Sequence, residues 1–233
     1  MIERRAFLQV AAAAACFRPE DAPLAGSVVE LRNYLLTPGS REAFTGLFER
    51  LFIESQEAVG SHILGIFQDL NAPDRFVWMR GWKDMAARLR GLTDFYGGPL
   101  WKAHRSEANA MILDSDDVYL LRPTGVPLCW PKAPGAALGA AAKSNAMFAV
   151  DVYARDTLAQ PELTAVPGSA PQLVAQLVSH EASNDFPRLP VHSDKVIVFV
   201  RRFDAVGTPD PIITTVVPVR RHRLVAASRS WLR

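Results

Sequence analysis

Val29-Glu30-Leu31-Arg32-Asn33-Tyr34-Leu35 alternates apolar and polar residues, and Thr37-Pro38-Gly39-Ser40 then breaks the run. Period-two alternation reads as a strand. The break supplies turn chemistry and a helix start. Phe44, Leu47, Phe48, Leu51 and Phe52 follow at i, i+3, i+4, i+7 and i+8, an apolar stripe suited to a sheet. Gly60 closes this helix, which spans about 41–58. His62 to Asp69 reads as a second strand, Asn71-Ala72-Pro73-Asp74 as a turn, and Arg75 to Trp82 as a third strand paired to the second. Asp84 caps a second helical region, about 84–108, interrupted by Gly97-Gly98-Pro99. Asp117 to Arg122 is a fourth strand. The order βαββαβ is the split βαβ arrangement of ferredoxin-like folds. Two helices cover one face of such a sheet, and the other face needs a partner.

A weaker copy follows. Ala146–Tyr153, Gln172–Ser179, Asp194–Phe203 and Arg223–Ala227 read as four more strands, while Pro-rich stretches stand where the helices would be. The fold class is therefore α+β: tandem ferredoxin-like repeats, the second degenerate with its helices reduced, as two four-stranded sheets facing each other. The domain plan is 1–26 as an address and linker, 27–123 as the first repeat, 124–145 as a Pro/Gly/Ala-rich linker, and 146–233 as the second repeat.

Composition excludes several classes. Hydrophobic residues make up 49% and charged residues 21%, ordinary values for a packed globular chain. The net charge of +2 comes from 26 basic and 24 acidic residues without a strong basic face, which argues against nucleic acid as a partner. Arg220-Arg221-His222-Arg223 reads as a solvated strand edge or loop. Cys16 and Cys129 form no disulfide framework, and none of the five histidines has metal-ligand spacing, so neither metal nor cofactor is expected. No apolar run reaches the length of a transmembrane helix. Arg4-Arg5-Ala6-Phe7-Leu8 ahead of a short alanine-rich stretch resembles a twin-arginine export signal, with Glu3 and Gln9 as departures. It implies a periplasmic or exported protein; an amphipathic helix packed on a cytoplasmic protein is the alternative.

Further stretches resemble a known family. Glu30-Leu31-Arg32 ahead of Thr37-Pro38-Gly39, then Phe52-Ile53-Glu54 to Gln56-Glu57, and Asp74 to Trp78, are similar to the opening of a NIPSNAP domain. Phe95 to Arg105 is the most specific match, and Asn184 to Val191 resembles the second half of bacterial members. The likeness is strong over 28–122 and loose beyond. It implies a dimeric α/β-barrel fold, with cofactor-independent monooxygenases and haem-handling enzymes as fold relatives. The family has no agreed reaction.

The candidate site residues form two groups. Trp101, His104 and Arg105 share a helical face at i, i+3 and i+4, with Tyr96 just ahead of the break. His104, Tyr96 and His62 are the candidate catalytic groups, because imidazole and phenol exchange protons. Trp101 and Arg105, with Glu30, Arg32 and Tyr34 along one strand face, are candidate ligand contacts. The alternatives are ordinary packing for the helix and a solvated face for the strand. Phe76, Trp78 and Trp82 read as core. Two function classes stay open. One is a non-catalytic interaction or small-molecule-binding protein, with a small ligand, a protein or a second copy as partner. The other is a cofactor-independent monooxygenase-like enzyme acting on a small aromatic or apolar substrate.

Overall fold

The computed structural model describes residues 27–124, 144–157, 172–208, 210 and 216–232. The twin-arginine segment, both cysteines, most of the linker and the Pro-rich stretch 158–171 lie outside the described residues. The first half runs β1 (Val28–Leu36), α1 (Arg41–Leu47), a π-helical turn (Phe48–Phe52), α2 (Ile53–Glu57), β2 (His62–Asp69), β3 (Arg75–Trp82), α3 (Met85–Gly97), α4 (Pro99–Ala110), β4 (Ile112–Asp114) and β5 (Val118–Pro123). The second half supplies β6 (Met147–Ala154), a 3-10 turn, β7 (Gln172–Ser179), β8 (Val196–Phe203) and β9 (Arg220–Ala226), with no α-helix among the described residues.

Every strand pairing is antiparallel. Within the first half the order is β5-β1-β3-β2, and within the second it is β9-β6-β8-β7. Numbered inside each half, setting the short β4 aside, both read 4-1-3-2. The expectation of two separate facing sheets needs correction. β2 pairs with β9 over Phe67–Asp69, and β5 pairs with β7 over Leu121–Pro123. These two short seams join eight strands into one closed barrel, and the ninth, β4, only extends β1 at Leu35 and Leu36. Closure gives each of the eight barrel strands a neighbour on both sides.

The barrel interior is apolar. Val29, Leu31, Val77 and Met79 from the first half meet Phe148, Val150, Val198 and Val200 from the second, all buried. Phe67 and Phe148, on the two strands that flank β9, meet with ring centroids 5.3 Å apart. The inner face of the first sheet thus finds its cover within the same chain. Its outer face carries Tyr34, Phe76 and Trp78 beneath Phe44, Phe48 and Phe52, the stripe that alternation and helical spacing predict. Gly91 lets α3 lie close on β3, since a Cβ there would stand 2.3 Å from the Trp82 ring. Among the described residues no helix is long and apolar enough to cross a membrane.

The run Arg220–Arg223 differs from expectation only in part: Arg220 and Arg221 are exposed, whereas His222 and Arg223 are not. It forms most of β9, and His222 is buried with Nδ1 2.7 Å from Asp69 Oδ2 across the β2–β9 seam. Arg221 donates to buried Asp151 at 2.8 Å, and Arg223 stands 3.5 Å from it.

Candidate functional site

The site lies between the outer face of the first sheet and its helices. On β1, odd positions face the barrel, so Glu30, Arg32 and Tyr34 point the other way, as do Phe76, Trp78, Arg80 and Trp82 on β3. Register places Glu30 directly opposite Arg80 and Arg32 opposite Trp78. Neither alternative drawn from the sequence describes this face. It does not look into the space between sheets or into water; the helices bury it, and Glu30, Arg32, Arg80 and Arg88 are all fully enclosed.

Buried charge must be paired to persist. Glu30 Oε1 accepts from Arg88 Nε at 2.6 Å, while Oε2 accepts from Arg80 Nε at 2.6 Å and Arg32 Nη1 at 3.0 Å. Arg80 Nη2 also stands 2.6 Å from Oε2, too oblique for a hydrogen bond, so that contact is electrostatic. Burial pushes the Glu30 carboxyl up, but the three guanidiniums together outweigh it and hold the group well below the usual carboxylate range. Arg80 Nη1 donates to Gln56 Oε1 at 2.6 Å, and Arg32 Nε donates to the Tyr34 hydroxyl at 3.1 Å. Arg32 and Arg80 lie over Trp78 at 5.6 and 5.1 Å from its ring centroid.

The second half closes the site. Arg88 Nη1 donates to Asn184 Oδ1 at 3.1 Å and to the Asp185 carboxylate, and Phe186 stacks on Tyr96 at 5.9 Å. The tail after β9 also reaches across. Ser228 Oγ donates to Glu49 at 2.9 Å, the Arg229 backbone N–H donates to the same carboxylate at 2.8 Å, and the Arg229 guanidinium reaches the Glu49 carbonyl and Glu54. These contacts anchor the π-helical turn, a device that re-aims side chains locally.

Against this ionic cluster lies an aromatic cavity of about 30 Å³, room for a water or two. Its walls include Tyr34, Gln56, Trp78, Tyr96 and Trp101, with Phe48 and Phe52 from the π-helical turn. Trp101 packs on Tyr96 at 5.0 Å and on Phe52 and Phe95 at 5.6 Å. Burial pushes the Tyr96 phenol up, so it stays protonated at neutral pH. Among the described residues the walls contain no imidazole and no carboxylate.

The sequence-derived candidates separate accordingly. Tyr96, Trp101 and Tyr34 line the cavity, and Glu30 and Arg32 belong to the charge cluster behind it. His104 and Arg105 do not line it. The His104 side chain is 36% exposed, with Nδ1 3.6 Å from Glu107, and Arg105 is exposed. His62 stands half-buried at the start of β2, its pKa lowered by burial, and is not part of the wall either. The helical face shared by Trp101, His104 and Arg105 therefore does not converge on one site. Arg80, Arg88, Gln56 and Asp185 were not among the candidates. Arg80 was legible as the polar member of the Phe76-Trp78-Trp82 face; Arg88 and Asp185 meet only through tertiary packing.

Comparison with known proteins follows the same division of the chain. Residues 29–126 match the family model described as NIPSNAP. An uncharacterized NIPSNAP-like domain protein from Burkholderia xenovorans is similar at 25% identity and TM-score 0.40, over 46% of this chain and 96% of its own. A NIPSNAP family protein from Agrobacterium tumefaciens is similar at 20% identity and TM-score 0.40, over 43% and 96%. A putative monooxygenase from Lactobacillus acidophilus is similar at 10% identity and TM-score 0.46, over 87% and 93%. No curated protein matches the chain.

Proposed function

Since this chain carries a NIPSNAP-family domain at residues 29–126, we propose that it is a small-molecule-binding protein whose ligand enters the aromatic cavity between the first sheet and its helices. The observation that carries this reading is the cavity itself. It is walled by Tyr34, Trp78, Tyr96 and Trp101, backed by a buried cluster of charges, and closed by Asn184–Phe186 from the other half. Apolar walls with a few fixed polar groups are the usual make-up of a ligand site. Binding is favoured over acid–base catalysis because the described residues of the walls include none that takes up a proton near neutral pH. Tyr96 is held protonated, and Glu30 behind the wall is held as a weakly basic carboxylate. A ligand larger than water requires the Asn184–Phe186 segment or the π-helical turn to yield. Both are joined to the site through side-chain contacts between the halves.

Native mass spectrometry of the full chain purified from its host tests the proposal. A small molecule retained by the wild type and lost from Trp101→Ala supports it. Retention unchanged by that substitution places the ligand elsewhere.

Two further readings belong with this one. The 4-1-3-2 order in both halves supports a tandem ferredoxin-like repeat, with the second copy supplying in cis the cover that a second subunit would otherwise give. Residues 1–26 are proposed to direct export through Arg4 and Arg5.

A further inference from the structure

The charges around Glu30 do not balance. Arg32, Arg80 and Arg88 face Glu30 and Asp185, three guanidiniums against two carboxylates. The three arginines and Glu30 are fully buried, so bulk water does little to screen the surplus positive charge. Donors are also in surplus. Arg32 Nη2, Arg88 Nη2, Trp78 Nε1 and Trp82 Nε1 are buried with no acceptor among the described residues. Buried polar groups are nearly always hydrogen-bonded, so four unanswered donors in one cluster need an explanation. Two of them, on Trp78 and Arg32, belong to a residue of the cavity wall and to one directly behind that wall. The Arg32 guanidinium lies 5.6 Å from the Trp78 ring centroid, and Arg32 donates to Tyr34, another wall residue.

We propose that the cavity's ligand is anionic, a monocarboxylate whose charged end is taken by Arg32 Nη2 and the Trp78 indole N–H, with the rest of the molecule among Tyr34, Tyr96 and Trp101. A single negative charge would cancel the surplus of the cluster. Carboxylate oxygens accept from a guanidinium and an indole at once, and an Arg–carboxylate pair is stronger than a neutral hydrogen bond. Even the smallest carboxylate is larger than water, so its entry needs the same yielding of the Asn184–Phe186 segment or the π-helical turn. This inference rests on the small-molecule reading above, and its test is independent of any natural ligand.

The test is an indole N–H correlation spectrum of the ¹⁵N-labelled full chain. It is titrated with sodium formate, and separately with formamide, at ionic strength held constant with a bulky sulfonate salt. The expected result is saturable movement of the Trp78 indole peak with formate, at least tenfold weaker with formamide. Arg32→Lys, which keeps the charge but loses the fork of donors, should weaken formate at least tenfold. Should that variant fail to fold, Trp78→Phe in its place removes one donor and should weaken formate several-fold, followed at the Trp82 and Trp101 peaks. No saturable movement with formate overturns the inference and assigns the orphaned donors to water. Equal movement with formate and formamide also overturns it, while leaving a cavity that accepts small ligands without regard to charge.

Discussion

Glu30→Gln is the most informative single perturbation of the buried cluster. The wild-type carboxylate accepts from Arg88 and Arg80 at 2.6 Å and from Arg32 at 3.0 Å. The amide keeps one oxygen and turns the other into a donor. Whichever way it is set, an N–H then faces at least one guanidinium, and three buried positive charges are left with Asp185 as the nearby carboxylate. Removing one partner from a buried ionic arrangement costs about 3–5 kcal/mol. In a chain of this size that corresponds to a fall in Tm of roughly 6–20 °C. Acidification supplies the second arm. Burial raises the Glu30 pKa, the three guanidiniums lower it further, and the net shift is downward from the ordinary value near 4.5. A group depressed in the folded state gives its full stabilisation above the unfolded pKa and loses it as pH falls towards the folded one. The stability gap between wild type and variant should therefore be wide at pH 7 and begin to narrow below about pH 4.5. Urea unfolding at a series of pH values measures both arms. A gap under about 1 kcal/mol at pH 7, or one that stays constant as pH falls, would mean that Glu30 is not the charge partner of the three guanidiniums.

The other predictions follow from packing and exposure. Trp101→Ala removes a partly buried ring packed on Phe52, Phe95 and Tyr96; chemical denaturation should show a loss of about 2–4 kcal/mol. Gly91→Ala drives a Cβ against the Trp82 ring and the Val59 carbonyl, with an expected cost of about 1–3 kcal/mol; an unchanged Tm would mean that α3 and β3 are not in close contact. His104→Ala should change stability by less than about 0.5 kcal/mol, because its pair with Glu107 is long and exposed. A reporter that must fold before transport, fused to residues 1–26, should leave the cytoplasm and stay behind when Arg4 and Arg5 are both replaced by Lys; transport indifferent to that change would mean the segment is no signal.

Much of the fold was legible because its signals are local. His62–Asp69 and Arg75–Trp82 are bounded by glycine and proline turns and form the expected strands. The Gly97-Gly98-Pro99 break divides two helices, with Pro99 in the first turn of α4. The π-helical turn was not legible, since Phe48 to Phe52 continues the same apolar stripe. Nor were the seams, because three residue pairs between β2 and β9 leave no periodic trace. The candidate site was half legible. Alternation grouped Glu30, Arg32 and Tyr34 on one strand face, and Trp101 was read as a ligand contact or as ordinary packing. What alternation cannot supply is the cover on each face. A split βαβ sheet with a partner on its second face has no solvated face, so the polar members of β1 had to be buried and paired. The buried charge is built largely from arginines that meet only where β1, β3, α3 and the 184–186 segment come together.

Fluorine NMR of the full chain labelled with 5-fluorotryptophan reads out a ligand held among Tyr34, Trp78, Tyr96 and Trp101. The probe is the small-molecule fraction released by denaturing protein purified from its host. The chain has five tryptophans, and Trp231 packs against the barrel core, away from the cavity. Adding back the released fraction should shift Trp78 and Trp101 and leave Trp231 in place. A shift confined to Trp231, or no shift at Trp78 and Trp101, would contradict a ligand held there.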